Sequence, residues 1–162
     1  MANSRYMNNL LILLGLLLTN TSFSQDYDSI KIQLENIEKE NLELRSKVMP
    51  TVKKFGFGSP QMDSLDSQIL QFDSTALDFV EGIIKKYGWL GKNHIGKVAN
   101  RTLFLVIQHA PNNETRKLYF PLLESSAKNG ESELSAMAAM KDRILVQDGE
   151  FQIYGTQSRM VN

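Results

Sequence analysis

An apolar run at residues 103–107, inside a stretch with helical spacing, limits the possible folds of this chain more than any other segment. Asn93 is placed to cap the start of this helix, and Pro111 stops it just after His109. A helix without a polar face in its second half has to be covered by neighbouring elements on most sides. The run therefore predicts a helical domain with this helix at its centre, and with Gln108 and His109 at the covered end.

Apolar residues at spacings of three and four predict further helices on both sides of this central one. The first is predicted over residues 28–48 and is ended by Pro50. The proline and glycine content of residues 50–60 predicts a loop there. A helix then runs to about Phe72, and the pattern restarts with Asp73 as a helix cap.

The last part of the chain changes from a helical to a strand-like pattern. A helix is predicted to begin at Ser132, and Asp148-Gly149 is a turn signal after it. Residues 151–154 alternate between apolar and polar, which predicts a short C-terminal β strand or hairpin. A lone hairpin is marginal in water, so it has to lie on the helices. The expected fold class is mainly α: one compact domain of about five or six helices over residues 25–162, closed by this β element.

The first 24 residues have the pattern of a secretory signal. Arg5 precedes an apolar run at residues 10–18, and small residues follow before a predicted cut ahead of Gln25. The run is far shorter than the ~20 apolar residues that span a bilayer. We therefore expect a secreted or periplasmic protein with no stable membrane anchor after signal cleavage.

Charge and cysteine content exclude several classes of function. The chain has 18 basic and 18 acidic residues, and loss of Arg5 with the signal leaves it close to neutral. Such a balance gives no electrostatic case for binding nucleic acid or an anionic membrane. No cysteine is present, which excludes disulfides, thiolate catalysis and thiolate metal sites. The two histidines fall at opposite ends of one predicted helix, so neither a metal site nor a cofactor is predicted.

Several short motifs follow one another in a specific order: Gly88-Trp89, Gly96, Gln108-His109-Ala110, Pro121-Leu122-Leu123, Asp142-Arg143 and Tyr154-Gly155-Thr156-Gln157. Together they resemble the bacterial family called domain of unknown function 6624, over about residues 60–157. The preceding helix matches less closely: Asn41 and Arg45 align with a D-Q…R pattern in which Glu40 replaces the aspartate. The family has no established activity, so the resemblance implies no catalytic role. It marks six polar residues as family motif: Gln108, His109, Asp142, Arg143, Tyr154 and Gln157.

The candidate catalytic residues are His109, Asp142 and Arg143. A partly buried histidine can act as a general base or acid near neutral pH. Asp142 and Arg143 are neighbours whose side chains diverge by ~100° on a helix, so each needs its own partner. We expect Asp142 to accept a hydrogen bond from His109. We expect Arg143 to reach the backbone of residues 154–157, or to hold an anionic ligand with its two-pronged guanidinium.

Four more residues are candidates for ligand binding. Gln108, Tyr154 and Gln157 are neutral groups that can donate hydrogen bonds beside His109. Trp89 either stacks on a sugar or peptide ligand or fills the core beside a turn.

Two functions stay open at this level. In the first, the polar residues form the site of a small ligand-binding or hydrolase-like domain. In the second, they are a buried network that only stabilises the fold, because buried polar groups have to be paired. The protein would then be a non-enzymatic interaction or structural module, whose helix at residues 28–48 engages a partner protein.

Overall fold

The computed structural model describes residues 26–158, which are mainly helical, as predicted. The predicted signal, residues 1–24, lies outside the described residues. The helices in chain order are α1 (residues 26–46), α2 (Val48–Phe55), α3 (Pro60–Tyr87), α4 (Lys92–Gln108), α5 (Asn113–Lys128) and α6 (Leu134–Gln147). None of the helices in the described part of the chain is long and apolar enough to cross a membrane.

Helix α4 lies at the centre, as its apolar run predicts. It packs against α3, α5 and α6, and it shares one core cluster with Ile30 and Leu34 of α1. Four of its side chains are completely enclosed: Ile95, Ala99, Leu103 and Ile107. Because α4 ends at Gln108 with His109 as its C-terminal cap, the core fixes where the imidazole stands.

Helix α3 is a single helix of 28 residues, or ~42 Å. The predicted restart at Asp73 is therefore wrong. The stretch around Asp73 contains neither glycine nor proline, so nothing forces the backbone to leave the helix. The Asp73 carboxylate, expected to cap a helix, accepts hydrogen bonds from Arg45 of α1 instead.

A second departure concerns Pro50, which does not end the first helical region. Helix α2 follows α1 after Lys47 and contains Pro50 in its first turn, where a proline costs no hydrogen bond. Residues 50–55 are helical rather than a loop. With the start of α3, α2 forms an arm, residues 48–69, whose small core also includes Leu44 of α1. Met62, Leu65 and Ile69 pack there against Leu44, Val48 and Val52.

The predicted C-terminal β element is wrong: the part of the chain that the structure describes contains no strand. After α6 the chain forms an irregular tail over residues 150–158. A strand needs its backbone N–H groups for a neighbouring strand, but three of those in the tail donate to the carboxylate of Asp142. Gly155 has φ +70°, which also interrupts an extended backbone.

Candidate functional site

Arg45 ties three helices together at the covered end of α4. Its Nη2 donates to both carboxylate oxygens of Asp73 on α3, at 2.7 and 2.8 Å, and its Nε donates to Asn41 Oδ1 at 2.6 Å. The same Nη2 lies 3.0 Å from Nδ1 of His109. The Arg45 and Asp73 side chains are 32% and 19% exposed, so this ion pair lies partly within the protein.

The contact with Arg45 fixes the protonation of His109. A guanidinium only donates, so Nδ1 has to accept, and the proton of a neutral imidazole then sits on Nε2. Burial, then the charges of Arg45, Arg143 and Arg116, lower the pKa of His109 to about 4. At neutral pH His109 is therefore uncharged, and it offers one N–H donor, at Nε2.

Arg116 and Arg143 are the other two arginines near His109, and their environments differ. Arg116 is buried and donates to the main-chain oxygens of Gln108, the last residue of α4, and of Ala110 and Asn112, which follow it. Arg143 makes no hydrogen bond or ion pair with any residue in 26–158, and its Nε is enclosed without a partner. Gln108 also has an enclosed side-chain oxygen, Oε1, that accepts no hydrogen bond from residues 26–158.

We call Arg45, Asp73, His109, Arg116 and Arg143 the arginine centre. Burial and the charge of Arg45 lower the pKa of Arg143, and burial and the charge of Arg143 lower that of Arg116. The like charges are thus close enough to oppose one another. Asp73 is the one carboxylate in this set of five, so the set carries an excess of positive charge.

Asp142 stands at the middle of a second group, the aspartate centre, formed with Ile153, Tyr154 and Thr156. Its side chain is fully enclosed. It accepts hydrogen bonds from the backbone N–H groups of all three tail residues, at 2.7 to 3.2 Å, and from the hydroxyl of Thr156 at 2.9 Å. Burial raises the pKa of Asp142, but these bonds outweigh it and lower the pKa to about 2.

The predicted partners of the D-R pair are wrong. Asp142 accepts from the tail and not from His109, whose ring nitrogen Nδ1 meets Arg45. The tail backbone is held by Asp142 and not by Arg143. The two neighbouring side chains do diverge, as the helical geometry requires: Asp142 meets the tail, whereas Arg143 lies near Arg45 and Arg116.

Two of the predicted ligand-binding residues, Gln157 and Tyr154, lie outside the arginine centre. Gln157 donates to the main-chain oxygen of Ala139 and bonds with Gln152, so it holds the tail in place. Tyr154 binds Asp142 through its backbone, and the residue is 53% exposed.

Trp89 belongs to a different polar network. Its Nε1 donates to the hydroxyl of Ser132, which also accepts from Asn100. Asn100 and His109 are nine residues apart on or next to α4, or ~13 Å along a helix. The tertiary structure therefore does not bring Trp89 together with the arginine centre.

The space beside His109 is small. A void between α1, α3 and α4, lined by Asn41, Asp73 and His109 among others, has room for about one water molecule. A groove of about 590 Å³ adjoins this void between α1 and α3, and no member of the arginine centre lines it. No group of three or more metal-ligating side chains occurs within residues 26–158.

The model of a protein family, the family of unknown function DUF6624, matches residues 35–162. The chain belongs to this family. No curated protein and no solved structure matches the chain. The DUF6624 match begins within α1 and so includes Arg45, as well as the arginine centre and the aspartate centre.

Sequence reasoning missed two members of the arginine centre in this DUF6624 protein, Asp73 and Arg116. Each interrupts an apolar stripe of its helix. Asp73 stands between Ile69 and Val80 at helical spacing, and Arg116 stands seven residues before Leu123. All three of these apolar residues are buried. A charged residue in a buried stripe needs an internal partner, and this signal would have identified both.

Proposed function

We propose that this protein is an exported domain that binds a small anionic ligand bearing a carboxylate or phosphate group, with Arg143 as the main contact. The observation that carries the proposal is the half-buried guanidinium of Arg143, which has an enclosed Nε and no acceptor within residues 26–158. A buried donor without a partner costs free energy, and an anion would remove that cost. Export follows from the signal pattern of residues 1–24.

The arrangement of charges supports an anion over a neutral ligand. Arg45 is held by Asp73 and Arg116 by carbonyl oxygens, so both are fixed in place, and each charge lies close enough to that of Arg143 to interact with it. A carboxylate or phosphate can accept two parallel hydrogen bonds from one guanidinium. Its negative charge would also relieve the repulsion among the three arginines.

Binding fits the centre better than hydrolysis. A general base needs a free nitrogen lone pair that faces the substrate, but the lone pair of His109 at Nδ1 is engaged by Arg45. With a pKa of about 4, His109 is also unprotonated at neutral pH and so cannot act as a general acid. Its role in this proposal is to donate a hydrogen bond from Nε2 to the ligand.

Isothermal titration calorimetry with inorganic phosphate and with acetate tests the proposal. We expect saturable binding of at least one of them, and a loss of about tenfold or more in affinity for Arg143→Ala. Arg143→Lys keeps the charge but not the two-pronged geometry, and should bind with intermediate affinity. Arg101→Ala is the matched control, because Arg101 is an exposed arginine paired with Glu38.

If neither anion binds, or if Arg143→Ala binds both as well as the unmodified protein, the proposal is wrong. Binding that is lost equally in Arg101→Ala would also contradict it, since the anion would then respond only to overall charge.

The second candidate function is the interaction module, and the aspartate centre favours it. Asp142 is fully enclosed and its carboxylate oxygens accept hydrogen bonds from the tail, so this residue of the D-R motif has a structural role. The tail in turn presents Phe151, Ile153 and Tyr154, which are 80%, 65% and 53% exposed. Loss of a co-purified or cross-linked partner in Ile153→Ser, without any anion binding by the unmodified protein, would favour this candidate.

A further inference from the structure

The end of the arm exposes three large apolar side chains. Met49 and Phe55 of α2 are 69% and 44% exposed, and Phe57 in the turn after α2 is 83% exposed. Val48 and Val52 face the small core of the arm, so these three residues are not needed there. We call Met49, Phe55 and Phe57, with the lysines described below, the arm tip.

The arm tip is basic although the whole chain is neutral. No acidic residue occurs between Glu43 and Asp63, whereas Lys47, Lys53 and Lys54 fall in this interval. Lys47 pairs with Glu43. Neither Lys53 nor Lys54 has an acidic partner in the part of the chain that the structure describes.

The shape of the arm makes the tip accessible. Of the helices α3 to α6, α2 packs only against α3. Gly56 and Gly58 have φ values of +86° and +71°, which allow the tight turn that carries Phe57 outward between them. The ammonium of Lys54 lies 4.9 Å from the ring centre of Phe55, so cation and aromatic ring face solvent together.

We propose that the arm tip binds reversibly to the surface of a membrane that contains anionic lipids. Large apolar side chains flanked by lysines fit the interface of a bilayer, where the rings enter the headgroup boundary and the ammonium groups stay at the phosphates. The charge of the patch selects anionic lipid over a neutral surface. The positive charge of the arm tip does not appear in the net charge of the chain, because the compensating acidic residues lie elsewhere in the sequence. The proposal is independent of the arginine centre.

Co-sedimentation with lipid vesicles tests it. One set of vesicles is pure phosphatidylcholine, and the other contains about one third phosphatidylglycerol to give the surface a negative potential. We expect binding to the anionic vesicles, weak binding to the neutral ones, and weakening with added salt. The double variant Phe55→Ser/Phe57→Ser should reduce the partition coefficient about tenfold or more.

A charge variant and two controls separate the contributions. Each lysine near an anionic surface contributes about fivefold in affinity, so Lys53→Gln/Lys54→Gln should lower binding by about 25-fold. Leu118→Ser removes an apolar side chain elsewhere that is 67% exposed, between the values of Phe55 and Phe57, and Lys85→Gln removes an exposed lysine at the far end of α3. Both controls should bind like the unmodified protein, and circular dichroism establishes that every variant is folded.

Equal binding by the tip variants and the controls would overturn the proposal, and so would the absence of binding to both kinds of vesicle. If the vesicles fail but the tip variants lose a cross-linked protein partner, the surface recognises protein and the membrane proposal is wrong.

Discussion

Asp142 and Arg143 are adjacent in the chain, on the same turn of α6, and the structure treats them in opposite ways. The carboxylate of Asp142 is fully enclosed and receives four N–H or O–H donors from the tail. The guanidinium of Arg143 is half-buried and has no acceptor within residues 26–158. The two residues of the D-R motif thus differ: the carboxylate has its hydrogen-bond donors, whereas the guanidinium has no hydrogen-bond acceptor within residues 26–158.

The contrast between these two neighbours gives a way to separate structural polar residues from candidate site residues. Burial alone does not do so, since members of both centres are covered. The two kinds of residue differ in whether their hydrogen-bonding groups have partners, because a polar group that only stabilises the fold is paired when it is buried. On this criterion Asp142 and Gln157 stabilise the fold, whereas Arg143 and the Nε2 of His109 remain available to a ligand.

Replacement of Asp142 by alanine should have the largest effect. The backbone donors of Ile153, Tyr154 and Thr156 would lose their acceptor, and the tail would detach from α6. We expect the free energy of unfolding to fall by about 4 kcal/mol, measured by chemical denaturation. Asp142→Asn keeps one oxygen and should lose less. A loss below about 1 kcal/mol in the alanine variant would mean that the tail is held by other contacts.

The second effect concerns pH and belongs to the arginine centre. Folding lowers the pKa of His109 from 6.5 to about 4, so the unfolded chain binds the extra proton first as the pH falls. The resulting stability is fully present above pH 6.5 and is lost as the pH approaches 4, by on the order of 3 kcal/mol.

Denaturation of the unmodified protein and of His109→Gln across this pH range isolates the contribution. The unmodified protein should lose stability more steeply than the variant. Parallel curves would show that the imidazole is not held neutral, and the assigned Arg45 contact would be wrong. Phosphate, if bound, should raise the pKa of His109, which proton NMR of the ring measures.

A smaller effect is expected at Thr156 in the aspartate centre. Thr156→Ala removes the hydroxyl bond to Asp142 Oδ2 but leaves the backbone bond in place. The free energy of unfolding should fall by about 1 kcal/mol, and Thr156→Ser should recover most of it. Thermal denaturation of the two variants side by side provides the measurement. An unchanged stability in both would show that solvent replaces this hydroxyl without cost.

The smallest change in stability is expected for Arg143→Ala. The side chain makes no hydrogen bond in the described part of the chain and lies near two other arginines, so its removal should change the free energy of unfolding by no more than about 0.5 kcal/mol. The same variant should lose anion binding. A destabilisation as large as that of Asp142→Ala would remove the contrast between the two residues, and the D-R motif would then be structural throughout.

The sequence alone determined most of the helices and the place of α4. Apolar spacing is a local property, and a run without a polar face can only be covered, so the central position of residues 103–107 follows from chemistry that needs no coordinates. The motif residues were also readable, since the resemblance named His109, Asp142 and Arg143 and pointed to Arg45.

The partner of each polar residue depends on how the helices pack, which the sequence does not show. Asp73 reads equally well as a helix cap and as an interior residue, because capping and ion pairing use the same carboxylate, and the choice depends on Arg45, which is 28 residues away in the chain. Residues 151–154 alternate like a strand, yet their backbone donors go to Asp142 because a buried carboxylate competes for them. The packing of the helices sets which distant side chains pair with one another. The sequence therefore identified residues of the site but not the hydrogen bonds and ion pairs between them.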